Sequence, residues 1–411
     1  MAVDDLWYLS KRGPDGERLP SKRHGRGKRW QVRYTDDSGK ERRPVFDKKA
    51  DAERYDAAMR ADVSRGVYVD PAAGKVTVND YGREYRQTRL HRDNTAVRVE
   101  GVLRNHVAAH SLGGMQLGRV RHSHIQAWVK DRSRVLAPST LKVTYNVVFG
   151  LFAAAVRDRL IGGNPCVDVQ LPEIEREEQW IPTAEHVHAV ADALSRPPLP
   201  GKPSMRRYRA QVYVGAAAGL RQGEVWGLEL EHVDFLRREI RVVQQLVGPS
   251  GKTPYLGPPK TATSRRTVEM GTVLAEELAR HVELYPPTEV EILDATNPRK
   301  PLVRPARLVF VGARGRPLRR SAWTRPWAEA VSTIDAELPG AFTFHDLRHH
   351  YASVLIHGGA SVKTVQLALG HATPMLTLNT YVGLWPDVID RTRNLVDAAL
   401  QRPGAGMAAA R

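Results

Sequence analysis

The amino-acid sequence predicts a multidomain α+β protein with three parts. These are a small N-terminal β-sheet with one helix, an all-helical module, and a mainly helical domain that contains a small antiparallel sheet. At 411 residues the chain is too long for one ordinary hydrophobic core, which indicates two or three domains. Its hydrophobic periodicity changes from two-residue alternation near the N-terminus to helical spacing in the middle, and then to a mixture of both.

The first part is predicted to be a short antiparallel sheet followed by a helix. Apolar and polar side chains alternate over residues 30–35, which is the period of a half-buried strand. Residues 36–39 (Asp-Asp-Ser-Gly) are a turn signal, and residues 41–46 are typical of the returning strand. A helix over residues 47–63 would complete a domain that spans residues 1–70.

Basic side chains are concentrated in this first part. Residues 11–49 hold fourteen Lys or Arg against six Asp or Glu, which is nearly half of the net charge of +17. With a pI near 10.1, the chain is expected to bind a polyanion, and nucleic acid is favoured over a membrane because no amphipathic anchor is evident. Two alternatives stay open: a basic hairpin that is merely solvated, and an arginine-rich composition inherited from a GC-rich genome.

The second part has the spacing of helices over residues 76–172, after a linker at residues 71–75. A glycine-rich stretch at residues 112–118 separates these helices, and Asn164-Pro165 ends the last of them. The predicted helices are residues 80–90, 95–110, 125–134 and 138–160.

Neither a membrane span nor a secretion signal is expected. The longest apolar stretch, residues 143–156, is short and is interrupted by Thr144, Tyr145 and Asn146. The first residues lack the basic-then-apolar order of a signal peptide. Cys166 is the only cysteine, which excludes an intrachain disulfide and a multi-cysteine zinc site. The sequence therefore predicts an intracellular, cytoplasmic protein.

The third part is predicted to span residues 178–400, after a charged linker at residues 173–179. Thr183 is the expected N-cap of its first helix. Residues 401–411 are rich in glycine and alanine and are expected to form a frayed, flexible tail. Strands are predicted at residues 239–247 and 265–270, and helices at residues 205–218 and 273–284 and again beyond a proline-rich stretch at 286–305.

Four short motifs in this third part supply groups for phosphate chemistry. They are Gly-Leu-Arg221-Gln-Gly-Glu224, His345-Asp-Leu-Arg348, Leu-Gly-His371 and Asn-Thr-Tyr381. Arginine stays protonated and offers two parallel donors, so Arg221 and Arg348 are expected to clamp the non-bridging oxygens of a phosphodiester. His345 precedes Arg348 by three residues, on the same side of a predicted helix, where it can hydrogen-bond the phosphate or assist proton transfer.

Tyr381 is the predicted nucleophile. A phenol attacks phosphorus poorly unless its proton leaves during the attack, so the neighbouring groups must assist it. Thr373-Pro374 predicts the start of the short helix that carries it. Glu224 follows Arg221 by three residues on the same helical face and is expected to orient that arginine rather than to react. His371 is expected to contact another phosphate oxygen.

The order and spacing of these motifs resemble the tyrosine recombinases, also called the phage integrase family, over about residues 178–395. Residues 258–266 are similar to the family's β-hairpin lysine segment, so Lys260 is expected to protonate the leaving 5′-oxygen, with Lys252 as the competing lysine. The resemblance implies a site-specific recombinase or integrase that cleaves and rejoins DNA through a 3′-phosphotyrosine, without cofactor, metal or ATP. The six matching positions are Arg221, Lys260, His345, Arg348, His371 and Tyr381.

The resemblance also implies roles for the other parts. The N-terminal sheet is similar to the arm-type DNA-binding domains of some integrases, and the helical module is similar to the family's core-binding domain. The family implies a C-shaped clamp on double-stranded DNA and a homotetramer that joins two duplexes. A phage or mobile-element integrase of this kind acts in the bacterial nucleoid, with a host DNA-bending protein and a directionality factor as possible partners. The expected DNA contacts are Arg29, Arg33, Arg42, Arg43, Lys142 and Arg157.

Three other functions are compatible with parts of the pattern. A type IB topoisomerase shares the chemistry without the synapsis, and a catalytically silent DNA-binding regulator would need no tyrosine nucleophile. A metal-dependent nuclease would need a carboxylate cluster, which is not evident in the sequence. The pairs His345/His349 and His106/His110 have the spacing of metal ligands on a helix, but no third ligand accompanies either pair.

Overall fold

The computed structural model describes residues 2–35, 41–64, 73–175, 179–198, 204–248, 252–334, 338, 342–385 and 400. The predicted turn at residues 36–39 and the predicted tail at 401–411 lie outside the described residues. The chain divides into two compact units, Met1–Arg176 and Glu177–Arg411.

The N-terminal sheet of the first unit is built around one central strand. Its elements are β1 (Ala2–Asp5), β2 (Tyr8–Arg12), β3 (Arg18–Pro20), β4 (Trp30–Thr35), β5 (Glu41–Arg42), β6 (Val45–Phe46) and helix α1 (Lys49–Ser64). Strand β4 is antiparallel to β1, β5 and β6, and β2 pairs with β3 in a separate hairpin. Val32 and Tyr34 of β4 are buried with Ala52 of α1. The apolar alternation predicts β4, whereas the described side chains of β1 to β3 are half-buried or exposed and show no such alternation.

The remainder of the first unit is helical. Its helices are α2 (Val78–Thr88), α3 (Asp93–Val102), α4 (Ser111–Gly114), α5 (His122–Arg132) and α6 (Pro138–Arg157). Two features differ from the prediction. Helix α3 continues into a π-helical segment, Leu103–Ala108, and the glycine-rich stretch contains the short helix α4 instead of a loop. Gly113 allows this because it packs so closely on Asn79 of α2 that a Cβ would collide there.

Helix α6 forms the centre of this helical core. Among the described residues it is the one helix that is long and apolar enough to cross a membrane by length and composition alone. The helix is longer than the apolar stretch at residues 143–156, so its length alone does not exclude a membrane span. Its apolar residues are accounted for by packing, because Leu141, Val148, Leu151 and Phe152 are buried in the core of the unit.

The second unit begins with three helices, and strands and a further helix follow. These are α7 (Ala184–Ser195), α8 (Arg209–Ala218), α9 (Gln222–Trp226), β7 (Val233–Asp234), β8 (Glu239–Val242), β9 (Gln245–Val247), β10 (Tyr255–Gly257), β11 (Arg266–Glu269), α10 (Thr272–Leu284), β12 (Thr288–Asp294) and β13 (Leu302–Leu308). One sheet has the order β11-β8-β7, and the other has the order β13-β12-β10-β9. Neighbouring strands are antiparallel except for β10 and β12, which are parallel.

The proline-rich stretch contains a β-hairpin that the sequence analysis missed. The sequence analysis assigned no strand to residues 286–305, yet they contain all of β12 and most of β13. Pro305 lies in β13, at the edge of its sheet, where the missing N–H breaks no ladder between two neighbours. The high proline content of this stretch therefore did not indicate a strand, although a strand at the edge of a sheet can contain proline.

The unit ends with α11 (Arg320–Ser332), α12 (Phe344–His357), α13 (Val362–Leu369) and α14 (Pro374–Tyr381). Helix α8 is buried along almost its whole length and packs against α12. The helices approach closely at Gly215, where a Cβ would lie 2.9 Å from the Phe344 ring and 3.1 Å from Leu347 Cβ. This contact brings the first turns of α12 to the C-terminal end of α8, where the first arginine motif begins.

Candidate active site

Arg221 is presented by a left-handed turn between α8 and α9. Gly219 ends α8 with a φ of 62° and lies against the ring of Tyr351, where a Cβ would collide, so the turn requires glycine. The backbone N–H of Arg221 donates to Glu224 Oε2 at 3.0 Å, and its Nη1 donates to Glu224 Oε1 at 2.8 Å. One carboxylate therefore fixes both the backbone and the guanidinium group of Arg221.

Arg348 lies on α12 and is almost completely buried, with 2% of its surface exposed. Its guanidinium group donates to the carbonyl oxygens of Gly219 and Leu369, which ties α12 to the ends of α8 and α13. Burial, together with Arg221 and Arg266, lowers the pKa of Arg348 to about 9. The group remains charged at neutral pH, and an anion that enters this crowded positive site would relieve the repulsion.

Arg266 on β11 is a third arginine of the site, and the sequence analysis missed it. Its Nη2 donates to Glu224 Oε2 at 3.0 Å, and its Nε and Nη1 donate to the carbonyl oxygens of Ala368 and Ser264. Although burial raises the pKa of Glu224, Arg266 and Arg221 hold it below its ordinary value. Within the described residues, the guanidinium groups of Arg221 and Arg266 thus share this carboxylate. The available signal was the alternation of β11, which turns Arg266 to the buried side.

His371 follows a second left-handed glycine. Gly370 ends α13 with a φ of 64°, and a Cβ there would lie 3.0 Å from Ser264 Cα. The Nδ1 atom of His371 hydrogen-bonds Thr377 Oγ1 at 2.9 Å, which fixes the ring. Burial, reinforced by Arg348, lowers the pKa of His371 to about 3, so the imidazole is neutral at physiological pH. Its Nε2 is then the nitrogen that can serve a phosphate oxygen.

Tyr381 is the last residue of α14, and 2% of its surface is exposed. Its hydroxyl hydrogen-bonds Nδ1 of His349 at 2.8 Å. Its ring lies nearly parallel to that of His371, with the centroids 6.5 Å apart. Burial raises the pKa of Tyr381 to about 12, although Arg348 and Arg221 act to lower it. The tyrosine therefore keeps its proton in the free protein, in the field of both arginines.

His345 and His349 occupy successive turns of α12. His345 remains partly exposed, and its ring lies edge-on to that of His349 with the centroids 4.9 Å apart. Burial of the rest of the His345 ring, together with Arg348, lowers its pKa. The hydrogen bond to the Tyr381 hydroxyl is made by His349, which the sequence analysis had considered only as a metal ligand. The four-residue spacing was the available signal, because it places both rings on one face of the helix.

Lys260 lies between β10 and β11, and its side chain is exposed. Its charge contributes to lowering the pKa of His345, so it acts electrostatically on the histidine side of the site. Lys252, the competing lysine, is also exposed and precedes β10.

Three of the expected DNA contacts in the N-terminal sheet form ion pairs within the module. Arg29 Nη2 lies 2.9 Å from Asp5 Oδ2, and its Nε also donates to that carboxylate. Arg43 pairs with Glu41 at 2.6 Å, and Arg33 lies 3.8 Å from the same carboxylate. These arginines would have to share or exchange their partners in order to bind a phosphate.

The other expected contacts differ in exposure. Arg42 of β5 is half-buried, whereas Lys142 and Arg157 are exposed on α6. Lys142 and Arg157 lie on the solvent-exposed face of α6, and the other face of this helix packs in the core of the helical module.

The described residues contain one group of carboxylates and histidine with the spacing of a metal site: Glu229, Glu231 and His232. Glu229 is already engaged, because its Oε1 lies 2.6 Å from Arg304 Nη2 and accepts a hydrogen bond from Gln244. The group is exposed at Glu231 and serves as a charged clamp between sheet segments. It therefore gives no support to a metal-dependent mechanism.

The chain is similar to known integrases and tyrosine recombinases. The phage integrase family matches residues 183–385. The chain is 25% identical to the integrase of Mycobacterium phage L5 over 343 residues, which covers 81% of this chain and 84% of the phage protein. It is 28% identical over 308 residues to a tyrosine recombinase XerC-like protein of Caldanaerobacter subterraneus, covering 71% of this chain and 74% of that protein.

Solved structures show a similar fold. The integrase of the Tn1549 transposon, in complex with transposon right-end DNA, matches with a TM-score of 0.66 at 21% sequence identity, over 79% of this chain and all of that chain. A lambda integrase dimer bound to a core site matches with a TM-score of 0.53 at 15% identity, over 85% of this chain and 91% of that chain. At these identities the likeness concerns the fold, and it confirms the predicted mixture of a small sheet domain with a mainly helical domain.

Proposed function

The chain belongs to the phage integrase family of tyrosine recombinases, as its motifs led us to expect, and on this basis we propose that it is a site-specific DNA recombinase with Tyr381 as its nucleophile. The enzyme cleaves and rejoins DNA and thereby integrates a phage or mobile element. Together with a partner protein it also excises that element. One observation carries the assignment of the site. The buried hydroxyl of Tyr381 lies in the field of Arg348 and Arg221, and Arg221 is held by the carboxylate of Glu224, which also pairs with Arg266.

The proposed reaction exchanges one phosphodiester for another. The phenolic oxygen of Tyr381 attacks phosphorus, a 3′-phosphotyrosine bond forms, and the bond to the 5′-oxygen breaks. Lys260 protonates the leaving oxygen. Because the phosphotyrosine retains the energy of the phosphodiester, a DNA 5′-hydroxyl reverses the step without ATP or metal.

The arginines stabilise the charge that develops in the transition state. Arg221 and Arg348 approach the site from the ends of different helices, α9 and α12, and can each donate to the non-bridging oxygens. His371 serves a further oxygen as a neutral donor, and His345 assists from the exposed side. Arg266 and Glu224 are proposed to hold this arrangement in place, since Glu224 pairs with Arg266 and accepts from the backbone of Arg221.

We assign the substrate as double-stranded DNA. The basic N-terminal module, residues 1–70, is proposed as an arm-type DNA-binding domain, and residues 76–172 as the core-binding domain. Residues 178–400 form the proposed catalytic domain, and residues 401–411 a tail. Binding of the N-terminal module to an arm site would raise the effective concentration of the catalytic domain at the core site. Because such contacts release counterions, the affinity for DNA is expected to fall steeply with salt.

We further propose that the active species is a homotetramer on two duplexes. A lambda integrase tetramer bound to a Holliday junction has a similar fold, with a TM-score of 0.52 at 15% identity. A host DNA-bending protein and a directionality factor are proposed as additional partners. An enzyme of this kind works where the chromosome is, so the protein is assigned to the interior of a bacterial cell, at the nucleoid.

Covalent trapping tests this function. The protein is mixed with nicked fragments of host and element DNA, and a protease-sensitive protein–DNA adduct is sought. We expect an adduct with the wild type and none with Tyr381→Phe. Tyr213→Phe is the matched control, since Tyr213 is also buried in the same unit with its hydroxyl bonded to a histidine, and it should leave the adduct unchanged. Sequencing of the trapped DNA then identifies the site.

Each alternative function has its own outcome in this experiment. Tight DNA binding without any wild-type adduct would indicate a regulator. An adduct combined with relaxation of supercoiled DNA, in the absence of recombination between two sites, would indicate a type IB topoisomerase. DNA cleavage that leaves no adduct and stops on addition of EDTA would indicate a metal-dependent nuclease.

A further inference from the structure

The hydroxyl of Tyr381 hydrogen-bonds Nδ1 of His349, and the two atoms are 2.8 Å apart. Both side chains are buried, and their rings meet edge to face with the centroids 5.5 Å apart. His371 stacks parallel to the tyrosine ring, but its Nδ1 is occupied by Thr377. Of these two neighbouring histidines, His349 is therefore the one whose ring nitrogen reaches the hydroxyl.

The surroundings of His349 keep its imidazole neutral. Burial lowers the pKa of His349 to about 4. His345 and Arg348 on the same helix lower it as well, while Asp346 raises it. The group that faces it from α14 is the hydroxyl of Tyr381, which is uncharged at neutral pH. A neutral imidazole can accept a hydrogen bond through one ring nitrogen, and with it a proton.

We propose that His349 is the general base of the reaction, whose Nδ1 takes the phenolic proton of Tyr381 as the tyrosine oxygen attacks phosphorus. The inference rests on the proposed function, because a base is needed here only if Tyr381 is the nucleophile. The hydrogen-bond distance is within the range that proton transfer requires. Arg348 and Arg221 support the step, since both favour the negative charge that forms on the tyrosine oxygen.

The step is balanced in both directions. The O–H bond of Tyr381 breaks and an N–H bond forms on His349. The tyrosine oxygen bonds to phosphorus, and the 5′-oxygen leaves with a proton from Lys260. During religation the 5′-hydroxyl attacks, Lys260 recovers its proton, and the imidazolium of His349 returns its proton to the departing tyrosine. With His349 as the base, His345 is available to hydrogen-bond the phosphate.

The tautomer of His349 tests the proposal without DNA. The full-length protein is labelled with ¹⁵N at histidine, and the resonances of His349 are assigned by their loss in His349→Asn. We expect the proton on Nε2 and a bare Nδ1, and a shift of the Nδ1 resonance in Tyr381→Phe. A proton on Nδ1 in the free protein at neutral pH would overturn the proposal, because the imidazole would then donate to the tyrosine and have no site for its proton.

A kinetic experiment isolates the activation of the nucleophile. The substrate is a nicked duplex that carries the trapped site with a 5′-bridging sulfur, which leaves without help from Lys260. Above the pKa of His349 the wild-type rate should be nearly independent of pH between 5.5 and 8.5. In His349→Asn the rate should rise about tenfold per pH unit, because the reaction then depends on the fraction of tyrosine present as phenolate. At pH 7 the rate of the variant should be about 10²–10⁴-fold lower than that of the wild type.

The controls separate proton transfer from positioning and from folding. Asparagine keeps a polar group near the hydroxyl, so a role in positioning alone would leave the pH profile of His349→Asn flat, and that result would overturn the proposal. His357→Asn, on the same helix but exposed, should match the wild type. The unfolding temperature of each variant shows whether it is folded. Absence of any wild-type adduct would instead refute the proposed function, which distinguishes the two failures.

Discussion

The two basic regions of this protein differ in how far their arginines are exposed to water and compensated by carboxylates. In the N-terminal sheet, arginines such as Arg29 and Arg43 lie at the surface and pair with the neighbouring carboxylates Asp5 and Glu41. In the arginine cluster of the second unit, which consists of Arg221, Arg266 and Arg348, the guanidinium groups are largely buried. Arg221 and Arg266 share Glu224, and Arg348 donates to backbone carbonyl oxygens. The N-terminal region therefore contains more basic residues, whereas in the arginine cluster fewer of the positive charges are balanced by carboxylates.

The difference shows why a count of basic residues is a poor guide to phosphate chemistry. Exposed ion pairs are screened by water and salt and contribute little. Guanidinium groups held away from water interact more strongly with one another and with any anion that enters, as the lowered pKa of Arg348 illustrates. We expect mutations in the two regions to differ accordingly, in chemistry for the arginine cluster and in salt-dependent affinity for the N-terminal sheet.

The largest effect is expected for Arg348→Ala. On the proposed role of Arg348 as a donor to the transition-state charge, its loss should slow adduct formation about 10²–10³-fold or more, while DNA binding changes little. Single-turnover trapping on the nicked site, with binding measured in parallel by anisotropy, checks this expectation.

The matched control is Arg209→Ala in the same unit. Arg209 is also partly buried, but it pairs with Glu277 and Asp192, so its charge is compensated within the fold. Its loss should lower the unfolding temperature and leave adduct formation by the folded protein within about threefold of the wild type. Equal losses of activity in both variants would contradict the distinction between compensated and uncompensated arginines.

The second effect concerns the stability of the arginine cluster. Glu224→Gln keeps the shape of the side chain but leaves Arg221 and Arg266 without their carboxylate, and should cost about 3 kcal/mol of unfolding free energy at pH 7. The folded-state pKa of Glu224 is lowered, so the charge stabilises the fold above the unfolded pKa, and this contribution is lost as the pH falls through the folded value. Urea unfolding at pH 7 and pH 4 should show the difference between variant and wild type shrinking at the lower pH.

The sequence predicts those parts of the site that are local in the chain. The capping proline of α14 and the helical spacing of His345 and Arg348 both depend on neighbouring residues, and the structure has them where the motifs indicate. The ordered set also sufficed to recognise the family.

The parts that could not be predicted depend on contacts between distant segments. His349 meets Tyr381 only because α14 packs against α12, and Arg266 joins the site only because β11 lies beside the end of α13. The spacing of these residues along the sequence predicts neither of the two contacts. The hairpin of β12 and β13 was missed for a related reason, since the cost of Pro305 depends on whether its strand lies at an edge.

A moderate effect is expected when the N-terminal module is removed. A variant that lacks residues 1–70 should bind arm-site DNA about tenfold more weakly or worse, with a shallower dependence of affinity on salt. Its rate of adduct formation on a core-site duplex should stay close to that of the full chain, because the arginine cluster is intact. Loss of adduct formation in this variant would contradict the separation of the two regions.

The smallest effects should distinguish paired from exposed cations. Arg43 must give up or share its contact with Glu41 before it can serve a phosphate, so Arg43→Gln should change the slope of log affinity against log salt by less than about 0.5. Lys142 is exposed on α6, and if it contacts a phosphate, Lys142→Gln should reduce the slope by about 0.9. Neither variant should shift the unfolding temperature by more than about 2 °C. A larger slope change for Arg43 than for Lys142 would mean that the ion pairs of the N-terminal sheet open on DNA, and that its charge is as available as that of the arginine cluster.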